Sequence, residues 1–236
     1  MDNKFKIIVT QYNADKYIRK CLESIRSQTY KNYDVIVVDD CSTDLTLPIA
    51  QQYPVYTIRN AVRTQLAYPN FSKGINLHPN SKEDIMVLLS GDDYFSDDEV
   101  LSVLNDAYQE NIWMTYGTFI PLSGNYGAYG ATIPDTRTYR KSGAWVTSHL
   151  VTFKKWLWDC IHEEDFKYKG EYSKYSFDRA FMYPMIEMAG KDHIKFIERV
   201  TYVYNDMNPA CIYKIKPKES IEEAKYFMGK QSYDEL

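Results

Sequence analysis

The sequence predicts an α/β protein built on an open, mostly parallel sheet flanked by helices, with a smaller region following it. Two observations carry this: short runs of β-branched residues alternate with amphipathic segments over the first 110 residues, and the pattern changes character after that point.

Residues 5–10 (Phe-Lys-Ile-Ile-Val-Thr) form a continuous apolar run of the kind found in a sheet covered on both faces. Tyr17, Ile18, Cys21, Leu22 and Ile25 then recur at helical spacing, giving a helix that starts near Asn13 or Ala14. Val35 to Val38 is a second strand, so the first 38 residues make a βαβ unit with a right-handed crossover. Helix at 45–52, strand at 55–59, helix at 70–78, strand at 85–89 and helix at 99–108 continue the alternation, and Ser96-Asp97-Asp98 gives the last helix an acidic start that suits its dipole. Beyond these, 111–118 reads as a strand. Residues 121–143 carry glycines at 124, 127, 130 and 143 among aromatic and polar residues, and read as a long loop able to act as a lid. Helices at 152–162 and 177–189, a strand at 194–204 and a helix at 217–230 complete the pattern.

A chain of 236 residues with 44% hydrophobic content can bury one substantial core, so one domain is expected over 1–236, divided into 1–110, 111–205 and a tail with a helix at 206–236. Twenty-two tyrosines suit either a binding surface or the edge of a core. The net charge is -4 and the 28 basic residues are dispersed, which argues against polyanion binding through bulk electrostatics and weakens a nucleic-acid partner. Cys21, Cys41, Cys160 and Cys211 are far apart, which suggests neither a zinc knuckle nor a disulfide framework. With no basic-then-apolar leader pattern and no apolar run long enough to cross a membrane, a cytoplasmic location is expected.

In an open α/β sheet, ligands bind beyond the carboxyl ends of the strands. Thr10 to Asn13, Asp39 to Asp44, and Ser90 to Asp93 all fall there. A single acidic turn after a strand also serves as an ordinary helix cap. Adjacent carboxylates after a fully apolar strand repel each other, however, and a hard divalent cation, Mg²⁺ or Mn²⁺, offsets that repulsion at Asp92-Asp93.

Taken together, Val9-Thr10-Gln11-Tyr12-Asn13, Leu22 to Tyr30, Val37-Val38-Asp39-Asp40-Cys41-Ser42-Thr43-Asp44 and Leu89-Ser90-Gly91-Asp92-Asp93 resemble the family 2 glycosyltransferases of the GT-A fold. The likeness is dense over 4–110 and loose over 140–205. It implies a metal-dependent, inverting transferase that moves a sugar from a nucleotide diphosphate donor, usually a UDP-sugar, to a hydroxyl on a glycan or other acceptor. Thr10, Tyr12 and Asn13 would border the nucleotide and Asp40 would bond the base. Asp92 would face the ribose, and Asp93, at the Asp-x-Asp element, would hold Mn²⁺ or Mg²⁺ against the diphosphate. On this resemblance 1–110 is the nucleotide-sugar half and 111–205 the acceptor half.

The family's late catalytic carboxylate matches Asp178, a general base for the acceptor hydroxyl, although Phe177 stands where a Glu is usual. Asp178 also suits a helix start. Arg59, Arg63 and Lys73 are alternative cations for the phosphates. His149 is a candidate for the metal, the donor phosphate or the acceptor site, and Trp145 for stacking on an acceptor sugar; both also suit structural packing. His162-Glu163-Glu164-Asp165 reads as a solvated acidic loop, since four consecutive residues cannot face one ion. The rivals are a sugar nucleotidyltransferase, which lacks support because no glycine-rich loop follows the first strand, and a nucleotide-sugar-binding module without catalysis.

Overall fold

A computed structural model describes residues 2–209 and 216–236. The chain begins with β1 (Phe5–Gln11), α1 (Ile18–Arg26), β2 (Tyr33–Asp39), α2 (Thr46–Ala50), β3 (Tyr56–Arg59), α3 (Ala67–Leu77) and β4 (Ile85–Ser90). A two-residue β5 (Tyr94–Phe95), α4 (Val100–Ala107), β6 (Met114–Pro121), α5 (Tyr139–Ser142), β7 (Val151–Lys154) and α6 (Lys155–Asp159) come next. The short hairpin β8 (Lys167–Tyr168) and β9 (Glu171–Tyr172) leads to α7 (Phe177–Ala189), β10 (Ile194–Tyr204) and α8 (Pro217–Gly229).

Eight strands form one sheet in the order β3-β2-β1-β4-β7-β6-β10-β5. The first four strands in that order are mutually parallel, and β6 and β10 are parallel to each other. β7 runs antiparallel between β4 and β6, and β5 antiparallel beside β10. Because β7 opposes both of its neighbours, the carboxyl ends of β1, β2, β4, β6 and β10 all reach the same edge of the sheet.

Alternate side chains of each strand feed two apolar layers. Ile8, Ile36, Val38, Met86 and Leu88 meet α3, α6 and α7 on one face, and Ile7, Val9, Val35, Val37 and Leu89 meet α1 and α4 on the other. α3 lies so close to the sheet that a Cβ on Gly74 would collide with Ile8 Cγ2, so the helix approaches only because that residue is glycine. In the second half, Arg140 of α5 makes a two-pronged ion pair with Glu187 of α7, both side chains 3% exposed.

Three expectations change. Residues 151–154 are a strand, not the start of a helix: Val151, Thr152 and Phe153 are buried between β4 and β6, and only 155–159 are helical. The first helix starts at Ile18, because Asn13 takes a left-handed backbone (φ 46°) while its side chain accepts from Thr43. The 121–143 loop is anchored by pairing of Phe119 with Tyr129 and contains α5. Cys21, Cys41 and Cys160 are free thiols, and Cys211 lies outside the described residues. No helix among the described residues is long and apolar enough to cross a membrane.

Candidate active site

The carboxyl ends of β1, β2 and β4 open into a cleft of ≈ 260 Å³ lined by Thr10, Tyr12, Asn13, Asp40, Arg63 and Asp92. Six residues singled out from the sequence therefore share one cavity. Gln65, Asn70 and Asn208 also line it, and nothing in the strand pattern marks them. A larger cleft of ≈ 530 Å³, floored by Tyr116 and Phe196, contains none of the sequence-derived candidates.

Asp40 sits at the end of β2, 4% exposed, in a ring of donors. Its Oδ1 accepts from Asn60 Nδ2 (2.8 Å), Thr64 N (2.8 Å) and Thr64 Oγ1 (3.0 Å), and its Oδ2 from Gln65 N (2.9 Å). Burial would raise its pKa, but these bonds outweigh burial and hold Asp40 below the usual carboxylate range. Oδ2 keeps acceptor capacity for a further donor, such as the imide N–H of a pyrimidine.

Tyr12 follows β1, and the Arg63 guanidinium lies 3.5 Å from its ring centroid. A flat cation over a flat ring in the cleft lining is a surface on which a nucleobase can stack. Asn13 joins the loops after β1 and β2: its N–H donates to Ser42 Oγ (3.0 Å) and its Oδ1 accepts from Thr43 N (2.9 Å).

The other two cations lie further back. Arg59 is more than half exposed, donates to the Ser42 carbonyl (2.9 Å) and sits 3.6 Å from Asp39. Lys73 donates to Asn60 Oδ1 (2.5 Å), and through Asn60 it supports the Asp40 ring. Neither lines the cleft, whereas Arg63 does.

The carboxylate pair after β4 divides its two side chains. Asp92 lines the cleft, and its Oδ2 accepts from Asn208 Nδ2 (2.7 Å). Asp93 is 2% exposed and accepts from Tyr202 Oη (2.5 Å) and Asn205 N (2.7 Å) at the end of β10. Burial raises the pKa of both, and the Asp92 charge raises Asp93 further.

Negative charge is thus unfavourable here without a counter-charge. The Asn205 side-chain amide is also buried, with neither end paired among the described residues. Hard carboxylate oxygens, unrelieved charge and spare polar capacity fit a divalent ion that takes one or two protein ligands and fills its shell with phosphate and water. A ready-made cage is not needed for such an ion, and no group of three or more His, Cys, Asp or Glu side chains gathers as one among the described residues.

His149 precedes β7 and stacks on Tyr202 (4.7 Å, 17°), whose hydroxyl holds Asp93. The backbone of 149–150 runs directly over Gly117, where a Cβ would come within 3.0 Å of Leu150 N. Burial pushes the His149 pKa down to about 4, so the ring is neutral at pH 7.

Trp145 meets the first turn of α7, which carries Asp178, through Arg179. The Arg179 guanidinium, adjacent to Asp178, lies 4.1 Å from the Trp145 ring centroid and donates to Tyr183 Oη (2.6 Å). Burial raises the Asp178 pKa, partly offset by Arg179. Phe177 stacks on Phe71 of α3 (5.6 Å, 8°), next to the cleft residue Asn70. The replacement of the expected Glu by Phe therefore creates an aromatic joint between α7 and α3. The His162–Asp165 stretch is spent on surface bonds, among them Tyr172 to Glu163 and Lys167 to Glu164.

A mostly parallel sheet with a polar cleft over the ends of its first strands, lined by one carboxylate of the pair after β4, is an α/β architecture of the GT-A type. Residues 6–164 match the profile of Glycosyl transferase family 2, and the chain belongs to that family. Glycosyltransferase GlyA of Streptococcus pneumoniae is 27% identical over 142 residues, covering 60% of this chain and 20% of that protein. The Staphylococcus aureus poly(ribitol-phosphate) beta-N-acetylglucosaminyltransferase TarS is 48% identical over 52 residues, covering 21% of this chain and 9% of TarS. The crystal structure of S. aureus TarS 1-349 with UDP-GlcNAc superposes with a TM-score of 0.65 at 18% identity, covering 95% of this chain and 65% of that one. The mannosyltransferase PcManGT of Pyrobaculum calidifontis, in complex with GDP-Man and Mn2+, gives a TM-score of 0.65 at 18% identity, covering 99% of this chain and 66% of that one. The chain thus spans a fifth or less of the length of GlyA and of TarS.

Proposed function

We propose that the chain is a glycosyltransferase unit that moves a sugar from a UDP-sugar to an acceptor hydroxyl on a glycan or polyol polymer, by single displacement with inversion. The observation that carries this reading is the convergence of Tyr12, Asp40, Arg63 and Asp92 on one cleft.

In this reading the base stacks at Tyr12 and Arg63 and bonds Asp40, and the ribose meets Asp92. The residues that would hold a divalent ion are Asp92 and Asp93, with His149 a neutral neighbour; when bound, that ion neutralises the charge that grows on the departing diphosphate. Asp178 takes the proton of the attacking hydroxyl, and its raised pKa makes it a stronger base than a solvated Asp. Trp145 offers a ring face to the acceptor sugar, and Arg179 holds that ring in place. The activity of TarS makes poly(ribitol phosphate) the first acceptor to try, with N-acetylglucosamine the first sugar.

The test is a thermal-shift panel of UDP, UDP-GlcNAc and GDP-mannose, each with and without Mn²⁺. A ligand that binds only the folded state raises the melting temperature. A uridine nucleotide should raise it, further with Mn²⁺, and the Mn²⁺ increment should vanish in Asp92→Asn. A panel with no shift for any nucleotide would sink the reading.

A further inference from the structure

α7 begins without the local cap that its sequence position would normally supply. Ser176 is its N-cap residue, yet its hydroxyl makes no capping bond and donates instead to the Ser220 carbonyl (3.0 Å) on α8. The third helical position, where a Glu commonly reaches back to the N-cap N–H, is Arg179.

Glu223, also on α8, supplies that bond from 47 residues away, and more. Its Oε2 accepts from Ser176 N (2.7 Å), Tyr175 N (2.7 Å) and Ser173 Oγ (2.9 Å), and its Oε1 from Lys174 N (3.1 Å). Three consecutive backbone N–H groups and a hydroxyl converge on one carboxylate that is 2% exposed. The segment so gripped ends two residues before Asp178.

We propose that Glu223 is a positioning residue: by clamping residues 173–176 to α8 it fixes the first turn of α7, and with it the direction in which Asp178 meets the acceptor. The body of α7 does not depend on this clamp, because Phe177, Ala180, Phe181, Met185 and Ile186 are packed in the core. Loss of the clamp therefore frees the first turn and leaves the helix in place. A charged acceptor is needed, since Gln would present an NH₂ group to donors that already point inward, while Asp would fall short of the four donors. This inference rests on Asp178 as the base, and its test separates the two.

The experiment uses the full chain and measures UDP released from UDP-N-acetylglucosamine, with water as acceptor, for wild type, Glu223→Gln, Asp178→Asn and the double variant, together with amide exchange. Glu223→Gln should lower kcat about tenfold or more at unchanged donor KM, accelerate exchange at residues 174–176, and cost nothing further in the Asp178→Asn background. A general folding defect would instead lower the residual rate of Asp178→Asn as well. If Glu223→Gln turns over like wild type while Asp178→Asn is crippled, the base stands and the clamp is overturned. If Asp178→Asn keeps wild-type turnover, the base assignment itself fails. Unchanged exchange at 174–176 overturns the clamp whatever the turnover. Should Glu223→Gln not melt cooperatively, Ser173→Ala removes one donor and keeps the charge. A several-fold loss of kcat at unchanged donor KM then supports the clamp, and unaltered kcat overturns it.

Discussion

The Arg63 guanidinium lies over the Tyr12 ring, 3.5 Å from its centroid, and both residues line the cleft. Tyr12 follows the first strand, and Arg63 belongs to the segment between β3 and α3. Their contact joins two separate segments of the cleft lining through side chains alone, so it is open to substitution.

Removing either partner should weaken nucleotide binding more than it weakens the fold. A cation over an aromatic face at an exposed site contributes about 0.5–1 kcal/mol, more when desolvated by a base stacked on it. Arg63→Ala and Tyr12→Ala are each expected to raise the Kd for UDP about three- to tenfold in calorimetric titration, and Tyr12→Phe is expected to leave it unchanged.

Asp40 links the cleft to stability. Its pKa is held below the ordinary value of about 4, so its ionised form favours the folded state. That contribution is complete above the unfolded pKa and disappears as pH falls through the lower folded one. Asp40→Asn turns an amide toward donors from Asn60, Thr64 and Gln65 and should cost about 1–3 kcal/mol at pH 7. Urea denaturation should show this difference shrinking as the pH is lowered below about 4.

Asp178 has the opposite sign. Burial raises its pKa, so ionisation works against folding above the unfolded value, and Asp178→Asn should melt slightly higher than wild type at pH 7. The same variant should lose about 10²- to 10⁴-fold in kcat. In wild type the acid limb of the kcat profile should lie above the range of a solvated Asp, because the base acts only when ionised. A limb at or below about 4 would contradict the assignment.

Arg140 and Glu187 form a fully buried pair, and Tyr233 N also donates to Glu187 Oε2 (3.0 Å). Arg140→Ala leaves that carboxylate buried without its counter-charge and should destabilise by about 3–5 kcal/mol in denaturant melts. Replacing both residues by apolar ones of similar volume should recover most of the loss.

Most of the first half was legible because burial on both faces leaves an unbroken apolar signal, as in Ile85 to Leu89, and because ligand residues follow such strands directly. Thr10, Asp40 and Asp92 could be found that way. β7 was missed since four residues are too few to show a period, and Trp156, Leu157 and Trp158 carry the helical pattern back across it. The division of labour between Asp92 and Asp93 was hidden for another reason: it depends on Tyr202, Asn205 and Asn208, more than a hundred residues away. Arg63 could not be preferred over Arg59 or Lys73 from spacing alone, because that choice is made by a loop whose course is set by the Asp40 hydrogen bonds.

β7 runs against its neighbours, so its amino end lies at the sheet edge reached by the carboxyl ends of β4 and β6. Parallel strands can deliver only residues lying beyond their carboxyl ends, whereas a strand entering from the rim delivers the residues just ahead of it, here Trp145 and His149. Substitutions in residues 144–150 can therefore reshape that edge without touching the loops after β1 and β2 that line the cleft.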